Sequence, residues 1–209
     1  MAYEDDEQLE ALRDWWRRHG RGVVIGVAAA LVLVVGWQQW TAWQVRQNAA
    51  AADDYTAVLQ AINEREPEAA ANRLGALREA HGESPYAAMA TLAVATAEVA
   101  EGRAQAAADV LSWIHTERPD SPFANLARLR QAEALAAAAE QDAALEVLEP
   151  VVDGPLRVRY LELRGDLLAA SGDRQGAIAA YEDALSEAGG QRRSLVEVKL
   201  LDLGGEPAS

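Results

Sequence analysis

Residues 161–185 read LELRGDLLAASGDRQGAIAAYEDAL, and the fold follows from this stretch. It holds two stripes, Leu161/Gly165/Leu168 and Ala177/Tyr181/Ala184. Each is spaced i, i+4, i+7, as one face of an α-helix requires. Gly172 lies between them, where a helix-ending residue with positive φ belongs. The first stripe holds one small residue, Gly165, and the second sets Ala177 and Ala184 on either side of Tyr181.

Working outward, the second stripe has earlier copies. Ala144/Leu148/Val151, Ala107/Leu111/Ile114 and Ala70/Leu74/Leu77 precede it at steps of 33, 37 and 37 residues. A second mark keeps the same intervals: Ser84-Pro85-Tyr86-Ala87, Ser121-Pro122-Phe123-Ala124 and Gly154-Pro155-Leu156. Each predicts a helix start with proline at the first helical position, where its missing N–H costs nothing. First helices are expected to carry Tyr55/Leu59/Ile62, Leu92/Thr96/Val99 and Arg128/Ala132/Leu135, with Arg128 standing where an apolar residue belongs and Glu98 adjoining a buried stripe. Two marks advancing together define an internal repeat. One such helix pair cannot bury its apolar face alone, so stacked neighbours must build the core. Residues 161–185 closely resemble a tetratricopeptide repeat, and the resemblance implies that Gly165 and Ala177 are the small sites where the two helices approach, with Tyr181 in the large aromatic slot and Ala184 in the later small one. The expected fold is all-α: a single N-terminal transmembrane helix followed by a tetratricopeptide-repeat-like α-solenoid of about four helix pairs. A capping helix at 191–203, with Val196, Leu200 and Leu203 facing the stack, closes it, and residues 204–209 should fray.

The anchor is read from charge. No charged residue stands between Arg21 and Arg46, and Gly22 to Trp37 is apolar throughout. A helix of that uncharged length spans roughly 36 Å, enough for a hydrocarbon core of about 30 Å. Trp37, Trp40 and Trp43 suit the headgroup level. Arg13, Arg17, Arg18 and Arg21 precede the segment, while only Arg46 follows closely. This imbalance predicts residues 1–21 in the cytoplasm, 22–45 across the membrane and 46–209 in the periplasm. Cleavage as a signal peptide is disfavoured by the acidic start and by the distance of Ala49–Ala52 beyond the apolar core.

From Arg46 onward there are 27 acidic and 15 basic side chains. That surface repels nucleic acid and anionic lipid. No cysteine occurs, which rules out disulfides and thiol redox chemistry. The three histidines, His19, His81 and His115, show no zinc-binding spacing. His81 and His115 are expected in solvated inter-repeat turns, and the carboxylates on exposed helical faces or caps. The glycines form no phosphate-binding loop, so neither catalytic, metal nor cofactor residues are assigned and no enzyme is expected. Two features remain for binding. Gly22, Gly26 and Ala30 form a small-residue stripe suited to a helix contact in lipid. The face lined by first helices forms a groove. Lys199 is the only lysine, and Arg157, Arg159 and Arg164 make one modest cluster in which Arg157 and Arg164 are able to share a face. Such a groove suits a protein partner or an extended unfolded chain better than a peptide carboxylate.

The whole chain resembles the YfgM family of ancillary SecYEG translocon subunits. The residues that carry this are the tail Asp6-Glu7-Gln8-Leu9-Glu10-Ala11-Leu12-Arg13-Asp14-Trp15-Trp16, the anchor exit Gly36-Trp37-Gln38-Gln39-Trp40, the repeat at 161–185 and the closing Val198-Lys199-Leu200-Leu201-Asp202-Leu203. The resemblance implies a single-pass inner-membrane protein with a periplasmic repeat domain. Its implied partners are the translocon, a membrane-anchored isomerase-like periplasmic chaperone and emerging secretory polypeptides, and the implied task is handing those chains on. Rival readings are a scaffold for division or envelope assembly, and an envelope-stress regulator acting through the tail.

Overall fold

The computed structural model describes residues 2–149 and 152–205, with side chains from residue 13 onward except 14, 23, 27 and 29. Val151, residues 206–209 and most of the acidic tail's side chains therefore lie outside the described residues. Every regular element among those described is helical: α1 (Ala2–Asn63), α2 (Pro67–His81), α3 (Pro85–Ala100), α4 (Ala104–Glu117), α5 (Ala124–Ala137), α6 (Gln141–Leu148), α7 (Arg157–Ser171), α8 (Arg174–Glu187) and α9 (Gly190–Asp202). They divide into two compact units, Met1–Ala50 and Ala51–Ser209.

The first unit is helix throughout its described length. It contains the only helical stretch among the described residues long and apolar enough to cross a membrane. Val24, Leu31, Val35 and Val45 are exposed, as are Trp37, Trp40 and Trp43, and the last two rings lie 5.6 Å apart. A fully apolar surface of this kind is unfavourable in water and matched by lipid.

The second unit is a stack of helix pairs: residues 51–63 of α1 with α2, α3 with α4, α5 with α6, and α7 with α8, closed by α9. Its repeat is tighter than the sequence marks alone suggest. Val58, Ala95, Ala132 and Gly165 are buried on the first helices, each 12 residues before Ala70, Ala107, Ala144 and Ala177, which are buried on the second. This corrects the first two units. Leu59 and Ile62 are only half-buried, and Thr96 and Val99 are exposed. The buried positions lie one residue earlier, at Val58 and Ala61 in the first unit and at Thr91 and Ala95 in the second. Burying Thr91 costs little because its hydroxyl donates to the Ala87 carbonyl (2.7 Å) and accepts from Arg78 Nε (3.2 Å) and Nη2 (3.1 Å). Arg78 Nη2 also donates to the Val110 carbonyl, and its guanidinium sits 4.5 Å over the Trp113 ring, so one side chain ties α2, α3 and α4 together. That burial lowers its pKa to about 10.

The turn between the paired helices repeats too. Arg65, Gly102, Ala139 and Gly172 have φ of 58°, 75°, 63° and 88°, and they recur at the 37, 37 and 33 residue steps. Each helix pair thus turns through one left-handed residue, and two pairs make that turn without glycine. A side chain there is strained by about 1–2 kcal/mol. Ala139→Gly should therefore stabilise the protein by about 1 kcal/mol in urea unfolding, after allowance for the freer unfolded chain. No change, or a loss, would contradict the left-handed turn.

Proline marks the starts less uniformly than expected. Pro85 opens α3, with Ser84 Oγ accepting from the Tyr86 amide. Pro122 and Pro155 instead stand in the turns before α5 and α7, where Phe123 and Leu156 occupy the cap positions. Ser121 caps that turn by accepting from the Phe123 amide. Half of the buried apolar residues among those described in the second unit are alanine, 17 of 34, so the helices pack by close approach more than by bulk.

Candidate protein-binding face

The first helices α3 and α5 enclose a cavity of about 250 Å³. Leu92, Ala95, Thr96 and Val99 line it from α3, Arg130, Glu133, Ala134 and Ala137 from α5, and Leu111 from α4 beneath. The backbone polar groups of these helices are spent within them, so a ligand here is held by side chains and cannot add as a strand. The floor accepts an apolar group. Arg130 and Glu133, paired at 2.8 Å, supply the polar edge.

From that edge a chain of charges runs across three helices. Glu133 accepts from Arg159 Nη2 of α7 (2.7 Å), and Arg159 Nη1 donates to Glu162 (3.2 Å). Glu162, 1% exposed, also accepts from Arg192 Nη1 (2.7 Å) and Lys199 Nζ (2.9 Å) of α9. Lys199 turns equally to Asp166 at 2.8 Å, and the Tyr181 hydroxyl donates to the same carboxylate at 2.7 Å. Burial pushes the Glu162 carboxyl up, but Lys199, Arg192 and Arg159 outweigh it and hold it below the usual range. Burial likewise pulls Lys199 down, and Asp166 and Glu162 more than offset that. The two directions agree on an ionised network. Burial, and then the bond to Asp166, raise the Tyr181 phenol.

This network corrects the expectation that every carboxylate sits on an exposed face or cap. The signal for it lay in spacing. Glu162 and Asp166 are four apart on α7, while Arg192 and Lys199 are seven apart on α9, so each pair shares a face. The arginine cluster also divides. Arg159 belongs to the network, whereas Arg157 and Arg164 line a separate cavity of about 350 Å³ between α7 and α8 with Asp173 and Asp183. Arg157 pairs there with Glu187 at 2.7 Å. Nor are the histidines solvated turns. His115 lies in α4, half-buried, 2.5 Å from Gln131 Oε1, and His81 closes α2, 3.7 Å from Asp54. Among the described residues no group of three or more acidic or histidine side chains is placed to hold a metal ion.

The residues singled out as repeat marks have definite places. Ala107, Leu111, Ala144 and Leu148 are buried in the central core cluster. Ala177, Tyr181 and Ala184 are buried with Leu161 in the cluster nearest α9, with Leu168 half-buried against it. A Cβ at Gly165 would collide with the Tyr181 ring, 2.6 Å from Cδ1. On α1, Gly22, Gly26 and Ala30 face outward, and a Cβ at Gly22 or Gly26 would meet nothing within 4 Å.

Residues 13–205 match the profile of a family described as a tetratricopeptide repeat-like domain. Three curated relatives are each named ancillary SecYEG translocon subunit. One from Aggregatibacter actinomycetemcomitans is 26% identical over 97% of this chain and 100% of its own length. One from Escherichia coli is 27% identical over 86% of this chain and 87% of its own. One from Haemophilus influenzae is 27% identical over 44% of this chain, an alignment spanning 46% of that protein. Among solved structures, TPR-like repeats of a Podosopora anserina protein described as kinesin light chain superpose with a TM-score of 0.54 at 16% identity. That match covers 75% of this chain and 85% of the other, and it speaks to fold alone.

Proposed function

The chain belongs to the tetratricopeptide repeat-like domain family, and on that premise we propose that it is a non-enzymatic, membrane-anchored ancillary subunit of the SecYEG translocon. The carrying observation is end-to-end similarity to a relative of that name, through anchor, repeats and terminal helix alike. In this reading residues 1–21 are cytoplasmic, 22–45 span the inner membrane and 46–209 form a periplasmic domain, as the arginine imbalance favours. Gly22, Gly26 and Ala30 offer the close helix contact to a membrane partner. The cavity between α3 and α5 receives apolar side chains of emerging secretory polypeptides, its modest size favouring brief contacts with many sequences. Those chains then pass to a membrane-anchored isomerase-like chaperone.

The test is a quantitative pull-down of the tagged full-length protein from membranes in mild detergent, beside a variant with residues 22–45 exchanged for an unrelated anchor. Translocon subunits and a periplasmic chaperone should co-purify, with the translocon reduced several-fold in the exchange. Gly26→Leu should weaken the same contact at unchanged expression. Recovery of division or wall-synthesis proteins without the translocon would favour an envelope scaffold instead.

A further inference from the structure

Glu133 belongs both to the edge of the α3–α5 cavity and to the charge network that reaches α9. Both of its carboxylate oxygens are spent. Oε2 accepts from Arg130 Nη1 at 2.8 Å, and Oε1 accepts from Arg159 Nη2 at 2.7 Å. Arg159 is fixed from behind. Its Nη1 donates at 3.2 Å to Glu162, which is 1% exposed and held from α9 by Arg192 and Lys199. Arg130 differs. Its side chain is 60% exposed, and its Nε and Nη2 donate to no acceptor among the described residues.

The balance of charge at the edge follows from these pairs. The connected set holds Arg130, Arg159, Arg192 and Lys199 against Glu133, Glu162 and Asp166, one positive charge in excess. That excess stands in a domain with 27 acidic and 15 basic side chains from Arg46 onward. At physiological salt it acts over roughly 8 Å, so a group seated at the edge meets it first. The repeat does not impose it, since the same register puts Ala93 and Thr96 on α3 where α5 has Arg130 and Glu133. Nor does the neighbouring groove share it. A cavity of about 190 Å³ on the other side of α3 is edged by Glu66, Glu98 and Glu101 against Arg65 and Arg103. We propose that Arg159 is a positioning residue that neutralises Glu133, leaving Arg130 to meet an incoming chain, so that the α3–α5 cavity prefers apolar side chains flanked by a carboxylate over those flanked by a cation. The proposal rests on the reading of this cavity as the client site given above.

Binding is read by fluorescence anisotropy of labelled glycine–serine peptides that carry one phenylalanine between two aspartates, two asparagines or two lysines. The full-length protein is held in nanodiscs of zwitterionic lipid, with empty nanodiscs as the blank. At low salt the aspartate peptide should bind the wild type about three-fold more tightly than the lysine peptide, the scale of one exposed charge pair. Arg159→Gln should bring that ratio to about one, and Arg159→Lys should restore most of it. Helicity should stay unchanged in both, because Glu162 keeps Arg192 and Lys199. A merely structural role would weaken all three peptides alike. Thr96→Trp fills the cavity from an exposed site on α3 and tests the client reading separately, by weakening all three. If it does not weaken them, that reading and the proposal fall together. If it does, while Arg159→Gln keeps the wild-type ratio or the wild type shows no preference, the proposal alone is overturned.

Discussion

Gly165→Ala will destabilise the repeat domain by about 2 kcal/mol, although the same exchange at Gly75 will stabilise it by about 1 kcal/mol. Both glycines lie inside helices, where alanine normally gains the smaller value. The difference is what the new methyl meets. At Gly75 it meets nothing within 4 Å. At Gly165 it enters the Tyr181 ring, 2.6 Å from Cδ1 and 2.9 Å from Cζ, and the ring has no room to retreat. Tyr181 is 3% exposed and its hydroxyl is tied to Asp166. Overpacking of this kind costs about 1–3 kcal/mol beyond the lost propensity gain. Urea unfolding of the two single variants reads the contrast. Adding Tyr181→Ala to Gly165→Ala should cost much less than the two separate losses together, because residues in contact do not add. Additive losses would show that the close approach is not the cause.

Glu162→Gln will loosen α9, at a cost of about 2 kcal/mol. Breaking a buried ion pair typically costs about 3–5 kcal/mol. A lower figure applies here because Arg159, Arg192 and Lys199 remain partly in solvent, which screens them. The amide keeps the shape and removes the charge that three cations share. Hydrogen exchange should show the loss first in α9 and the end of α7, with α3 and α4 unchanged. The pH dependence follows from the same group. Its folded-state pKa lies below the unfolded value, so its stabilisation is complete above the ordinary carboxylate range. It is lost as pH falls through the lowered folded-state value. The wild type should therefore lose α9 protection on acidification, and Glu162→Gln should show a flatter acid limb. Identical acid limbs would remove Glu162 from the account.

How much of this was legible differs by residue. The second-helix sites Ala70, Ala107, Ala144 and Ala177 could be read because a crossing point demands a small side chain, and alanine at fixed steps is visible. The first-helix sites were harder. Leu92 offers an apolar residue one place after the true position, where Thr91 sits satisfied by Arg78, a residue 13 away on another helix. Periodicity ranks leucine over threonine and cannot see that partner. The charge network shows the same limit more strongly. Glu162, Arg192 and Lys199 each read as surface charge, and the adjacency of α7 and α9 gathers the two cations around a buried Glu162. The left-handed turns were visible at Gly102 and Gly172. They were hidden at Arg65 and Ala139, which carry no signature of positive φ.

The alanine-rich core has a thermal consequence. Alanine buries little apolar surface, and the heat capacity of unfolding rises with the apolar surface exposed. A stack packed mainly through methyl groups therefore has a low heat-capacity increment for its length. Its stability curve should be shallow, with free energy changing slowly with temperature. A domain built this way keeps nearly the same firmness in cold and in warmth.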